Sequence, residues 1–251
     1  MDMALSGTFG TGPAARTIVS RGINVQRIFS GLHRYELTMN NLSNSLLDRV
    51  IVELDSALRV LASVAPSSRR SPGAGIKSGS LSAAERDAGA ALMRVNHAGE
   101  VAAQALYRGQ AFTTRDPAIQ QSLLIAAGEE QDHLIWCQQR VNELGGHTSL
   151  LGPLWYAGSF ALGAAAGLLG RSVGLGFVVE TERQVEEHLS GHLDQLPTAD
   201  LASRAIVQQI RTDEAAHGVQ ARELGASELP EPARATMRIV ARVMTTIAHR
   251  L

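Results

Sequence analysis

Two short steps in this chain share one spacing. Glu130 and His133 lie three apart in EEQDH, and Glu214 and His217 lie three apart in DEAAH. On an α-helix such residues sit one turn apart on one face. Each step therefore aims a carboxylate and an imidazole at a common point, and that donor set suits iron or manganese. With 15 Glu and 8 His in 251 residues, random placement gives about half of one such step, so the flanking carboxylates must decide. Glu100 precedes Glu130 by 30 residues, and Glu182 precedes Glu214 by 32. A helix bearing one Glu, followed by a helix bearing Glu-x-x-His, is used twice. That is the inventory of a dinuclear carboxylate four-helix bundle.

The candidate ligands are thus Glu100, Glu130, His133, Glu182, Glu214 and His217. Four carboxylates with two neutral imidazoles would repel one another if buried alone, and two divalent cations match their charge. On the third helix, Glu182 and Glu186 share a face, Glu180 and Glu187 are near, and periodicity does not choose among them. A metal-bound imidazole needs a partner on its other nitrogen. Asp213 and Glu129, each just before a ligand Glu, are spaced to reach the His of the opposite helix, or else are surface carboxylates. His97, His188 and His192 read as ordinary helix histidines, and Tyr107, two turns beyond Glu100, reads as core.

The elements that must position these groups follow from punctuation. Ser82 with Glu85 predicts a capping box opening a helix to about Thr114. Asp116-Pro117 opens a second, stopped by Gly145-Gly146. A third covers about Arg171 to Gln195, and a fourth starts at Thr198 and ends near Leu224-Gly225. Pro230 and Pro232 open a last helix reaching His249. Between the second and third lies 144–170, free of Asp, Glu, Lys and Arg. By length it could span a bilayer, but Pro153 and its glycines break the pattern, and a single span would part Glu130 from Glu182. An apolar element on the bundle or in a membrane interface is expected, with Trp155 and Tyr156 suited to the interface. A buried helical hairpin is the alternative.

Upstream, 46–64 has a helical stripe of Leu47, Val50, Leu54, Leu58 and Leu61, closed by Pro66. Residues 66–80 have linker composition. Residues 1–38 carry Arg16, Arg21, Arg27 and Arg34 without an acid between Asp2 and Glu36; they read as an extension, with Met39 a plausible start. The domain expectation is an extension over 1–80 and a bundle over 81–251. Net charge is −1 and pI about 6.7, which gives no electrostatic case for nucleic acid. The one cysteine, Cys137, excludes an intrachain disulfide and reads as a buried thiol.

LMRVNHAGE (92–100), EEQDH (129–133), PLWYAGSFALGAAAGLLG (153–170), VVETERQVEEHL (178–189) and TDEAAHG (212–218) closely resemble the Coq7 family of demethoxyubiquinone hydroxylases. The resemblance covers about residues 81–251, and LLDRVIVELDSALR resembles the leader helix of bacterial members. It implies an all-α, ferritin-like four-helix bundle with an added apolar interfacial segment and a C-terminal helix. It selects Glu182 as the third-helix ligand, beside Glu100, Glu130, His133, Glu214 and His217, and it implies two iron ions. The implied reaction is O2-dependent hydroxylation of a polyprenylated methoxy-methyl-benzoquinol, the penultimate step of ubiquinone synthesis. Peripheral association with the cytoplasmic face of the inner membrane follows from the insoluble tail, with a ubiquinone-biosynthesis protein complex as candidate partner. The competing enzyme reading is a ferritin- or rubrerythrin-like iron oxidase or peroxide scavenger; the competing non-enzyme reading is a helical membrane-associated scaffold.

Overall fold

The computed structural model describes residues 45–62 and 67–251. The expectations for residues 1–38, for Met39 and for Pro66 lie outside them. Packing divides the chain after Asp48, and the unit described below is Arg49–Leu251. Seven helices are present among the described residues: α1 Leu46–Ala62, α2 Ala83–Thr113, α3 Pro117–Glu143, α4 Gly152–Leu168, α5 Arg171–Gln195, α6 Leu201–Glu223 and α7 Glu231–Ala248. This is the all-α class expected. Short connections make α2–α3 and α5–α6 antiparallel pairs, and contacts of α3 with α6 and α2 with α5 join them into a four-helix bundle.

Most helix boundaries follow the local chemistry. Ser82 Oγ accepts from Glu85 N while the Glu85 carboxylate accepts from Ser82 N, completing the capping box. Asp116 caps Ala118 and Ile119, with Pro117 behind it where no N–H is needed. Gly145 takes a φ of 82° to end α3. The fourth bundle helix departs from expectation: its cap is Asp200, not Thr198. Asp200 is fully buried, accepts from Ser203 N, and pairs with Arg140 of α3 at 2.7 Å. A cap tied to a buried guanidinium from another helix outweighs the local preference of an isolated threonine.

Two apolar layers flank the middle of the bundle. One holds Met93, Trp136, Val141, Val207 and Ile210; the other holds Tyr107, Ile119, Leu123, Leu175 and Val178. On α2, Glu100 falls midway between Met93 and Tyr107, two turns from each, so the polar layer is sealed above and below.

The charge-free segment forms one helix, α4, packed along α2. Gly163 and Gly167 face that contact: a Cβ on Gly163 would stand 2.1 Å from Leu106 O, and one on Gly109 of α2 2.1 Å from Phe160 O. Among the described residues no helix is long and apolar enough to cross a membrane. Tyr156 departs from the interface expectation, whereas Trp155 keeps part of its surface open. Tyr156 is buried beside Val60, Val101 and Leu134, and Trp155 is half-buried near Val95, Ala98 and Ala248.

α1 departs more sharply. Of its stripe, Val50, Leu54 and Leu58 are exposed. It docks instead through Arg49, which hydrogen-bonds to Phe112 O, through Glu53 paired with Arg108 at 2.8 Å, and through Ala57 and Val60. The specific polar pairs turn the apolar face outward. The stretch after it is also more than a linker. Ser67, Ser68 and Arg69 all donate to the Asp132 carboxylate of α3, and Gly79 N donates to Ala199 O.

Candidate metal centre

The structure brings all six predicted ligands together. Glu100 comes from α2, Glu130 and His133 from α3, Glu182 from α5, and Glu214 and His217 from α6. None is more than 7% exposed. Donor atoms of Glu100, Glu130, His133 and Glu214 lie within 4.8 Å of one another, as do those of Glu182, Glu214 and His217. Glu214 thus belongs to both groups. The alternative from periodicity, Glu186, is exposed.

The two halves exchange contacts. His133 Nδ1 lies 3.0 Å from Glu130 on its own helix and 3.3 Å from Glu214 on the other. His217 Nδ1 lies 3.3 Å from Glu214 and 3.3 Å from Glu130. Both imidazoles present Nδ1 to the cluster and turn Nε2 away. There the carboxylates expected from spacing receive them: Asp213 Oδ2 at 2.9 Å from His133 Nε2, and Glu129 Oε2 at 2.6 Å from His217 Nε2. A carboxylate on Nε2 places the proton there and leaves Nδ1 as a lone-pair donor to a cation.

Charge tests the fit. Burial pushes the Glu100 carboxyl well above its ordinary range, and His133 offsets only part of this. Burial, then the neighbouring Glu214, does the same to Glu182. For Glu130 burial is outweighed by His133 and His217, which hold it well below. Burial would lower both imidazoles. Glu130 and Asp213 instead carry His133 well up, and Glu130 with Glu214 carries His217 up to about 12. Protons are therefore held on Glu100, Glu182 and both imidazoles around the shared centre, while Glu130 keeps its charge. Four carboxylates and two Nδ1 atoms in one buried layer fit a pair of divalent cations, and these donor types are compatible with iron.

Two contacts escaped the sequence reading. Tyr107 is buried, as expected of core, but its hydroxyl donates to Glu182 Oε1 and its ring meets His217 edge-on at 6.1 Å. Its place two turns beyond Glu100 was the available signal. Arg69 donates to Asp213 at 2.9 Å, and no local pattern marks it. Among the described residues the remaining histidines stay outside the cluster: His192 Nδ1 bonds Asn96 Oδ1 at 2.7 Å. Cys137 is the buried thiol expected.

The family described as ubiquinone biosynthesis protein COQ7 matches residues 87–248. The 3-demethoxyubiquinol 3-hydroxylase of Ralstonia pickettii (strain 12J) is 55% identical over 217 residues, covering 82% of this chain and 100% of that protein. The protein of the same name from Variovorax paradoxus (strain S110) is 54% identical over 207 residues, covering 82% and 99%. Among solved structures, the bacterioferritin-related protein of Bacteroides fragilis, a dodecameric thioferritin, is similar at a TM-score of 0.47 and 15% identity, over 74% of this chain and 97% of that one. With well over half of its length matched and relatives at this level of identity, the chain belongs to the COQ7 family of ubiquinone biosynthesis proteins.

Proposed function

We infer that this chain is a 3-demethoxyubiquinol 3-hydroxylase, and that Glu100, Glu130, His133, Glu182, Glu214 and His217 hold two iron ions at its centre. The observation that carries the reading is the reciprocal cluster of buried carboxylates and Nδ1 atoms, in a chain more than half identical to proteins so named. Iron held there would supply the redox chemistry for hydroxylation of the quinol ring by O2. The protein's own contributions are positional. Asp213 and Glu129 fix the tautomer and aim of each imidazole. Tyr107 steadies the Glu182 carboxylate. The apolar layers keep bulk water from the site.

The substrate carries a polyprenyl tail, so the enzyme must meet it at a membrane. Exposed Val50, Ile51, Leu54 and Leu58 on α1, Leu154 and Leu162 on α4, and Ile239, Val240 and Val243 on α7 support a peripheral docking face. The three helices are neighbours: Val60 of α1 packs with Tyr156 of α4, and Ala248 of α7 with Trp155. The cytoplasmic face of the inner membrane is the proposed location. Flotation with phospholipid vesicles tests it; protein that stays at the bottom of the gradient, where Leu54→Glu changes nothing, ends this part.

For the reaction, reduced protein is analysed for metal and then exposed to O2 with a short-chain demethoxyquinol in a single turnover. About two irons per chain and one hydroxylated product are expected. Iron oxidation without ring hydroxylation would give the site to the ferritin-like alternative instead.

A further inference from the structure

The two halves of the centre match in their ligands but not in what stands behind them. Behind His217, Glu129 is half-exposed, and its partner among the described residues is that imidazole. Behind His133, a segment ahead of the family-matched stretch has moved in. Asp132, next to His133 on α3, has a carboxylate only 3% exposed. It takes donors from Ser67 Oγ at 2.8 Å, Ser68 N at 2.6 Å, Ser68 Oγ at 2.8 Å and Arg69 Nε at 2.9 Å. Trp136, one turn further on, donates Nε1 to Ser67 Oγ and to Arg69 O, and the Arg69 guanidinium lies 4.8 Å above its ring. The same guanidinium reaches the other helix pair, donating Nη1 to Asp213 Oδ2 at 2.9 Å and placing Nη2 3.1 Å from His133 Nε2.

We propose that Ser67–Arg69 is a clasp across α3 and α6, and that Arg69 is a positioning residue for the His133 half of the centre. The proposal rests on the metal reading above. Its logic is geometric. Asp213 Oδ2 accepts from His133 Nε2 and from Arg69 at once. A planar fork that holds Asp132 with one nitrogen and Asp213 with another leaves the second carboxylate little freedom. With Asp213 fixed, the His133 ring is fixed, and Nδ1 keeps its aim at Glu130 and Glu214. Among the described residues, His217 Nε2 meets Glu129 with no guanidinium behind it. The two metal positions are therefore unequal: one braced and covered, one open to water through Glu129.

The test uses the full chain, loaded anaerobically with cobalt(II) against a competing chelator, in wild type, Arg69→Ala, Arg69→Lys and Glu129→Gln. Wild type takes up two cobalt ions; uptake of none would refute the metal reading itself, a separate outcome. Given two, Arg69→Ala weakens one binding step about 10- to 100-fold and leaves the other within about two-fold, while Glu129→Gln weakens the other step. Arg69→Lys falls between wild type and Arg69→Ala, since an ammonium cannot fork to both carboxylates. A second readout is the low-field Nε2–H proton resonance of His133 in the zinc-loaded protein, which moves or vanishes in Arg69→Ala while that of His217 stays. A lowered melting temperature with both cobalt steps and both resonances intact makes the segment a structural tie only and overturns the proposal. So does equal weakening of the two steps.

Discussion

His133 and His217 each have an inward nitrogen among acids and an outward one on a carboxylate from the opposite helix. That arrangement was legible because every member sits within one helical turn of another ligand, so sequence spacing maps directly onto a face. Asp213 and Glu129 could be named for the same reason. The donor on α5 was harder, since several acids share that helix and spacing alone ranks none of them; family resemblance chose Glu182, and the structure buries it while exposing Glu186. Glu182→Ala is therefore expected to lower bound iron and abolish hydroxylation, whereas Glu186→Ala keeps both within about two-fold, as an exposed substitution should. Iron content and single-turnover product check the pair, and the opposite ranking would hand the ligand role to Glu186. Tyr107 and Arg69 stayed hidden for one physical reason. Their partners lie 75 and 144 residues away, and no local period encodes a contact made only by folding.

Among the elements, α4 shows how composition can point both ways. Its glycines lower intrinsic helix propensity by about 1 kcal/mol each relative to alanine, which argued against a continuous helix, yet Gly152–Leu168 is one helix. The resolution is the approach of α2. At Gly163 an added Cβ would meet the Leu106 carbonyl at 2.1 Å, whereas at Gly158 it would meet nothing within 4 Å. Two opposite effects are predicted from the same substitution. Gly158→Ala gains helix propensity alone and should stabilise by up to about 1 kcal/mol. Gly163→Ala drives a methyl into backbone that cannot rotate aside, and overpacking of about 1–3 kcal/mol or more should exceed the propensity gain. Melting temperatures moving in opposite directions are the expected result; a rise in both would mean the helices separate at little cost. α1 illustrates the converse limit. Its stripe was readable, but the side on which it lies was set by Glu53–Arg108 and Arg49–Phe112, pairings a hydrophobic pattern does not contain. The Asp200 cap was missed likewise, because Arg140 of another helix selects it.

At the scale of the molecule, a buried imidazole away from the centre gives the fold an acid dependence. Burial, with His188 and His249 adding repulsion, pushes His192 down to about 3 from its ordinary 6.5, and its Nδ1–H is spent on Asn96 Oδ1. Between these two values the unfolded chain binds a proton that the folded one refuses. Stability contributed by the neutral ring is thus complete above about pH 6.5 and declines as pH falls, by up to about 1.4 kcal/mol per unit. In urea unfolding, the stability of wild type relative to His192→Gln should fall between pH 7 and pH 5; an unchanged difference would place the acid sensitivity elsewhere. The reciprocity of the centre has a consequence for assembly. The α2–α3 hairpin owns His133 but borrows Asp213 and Glu214 to complete it, and the α5–α6 hairpin owns His217 but borrows Glu129 and Glu130. Neither hairpin is a half-sized version of the whole. Were metal held as inferred above, its full donor set would exist only once the two hairpins have docked, and the ion would act as a late lock on the pair.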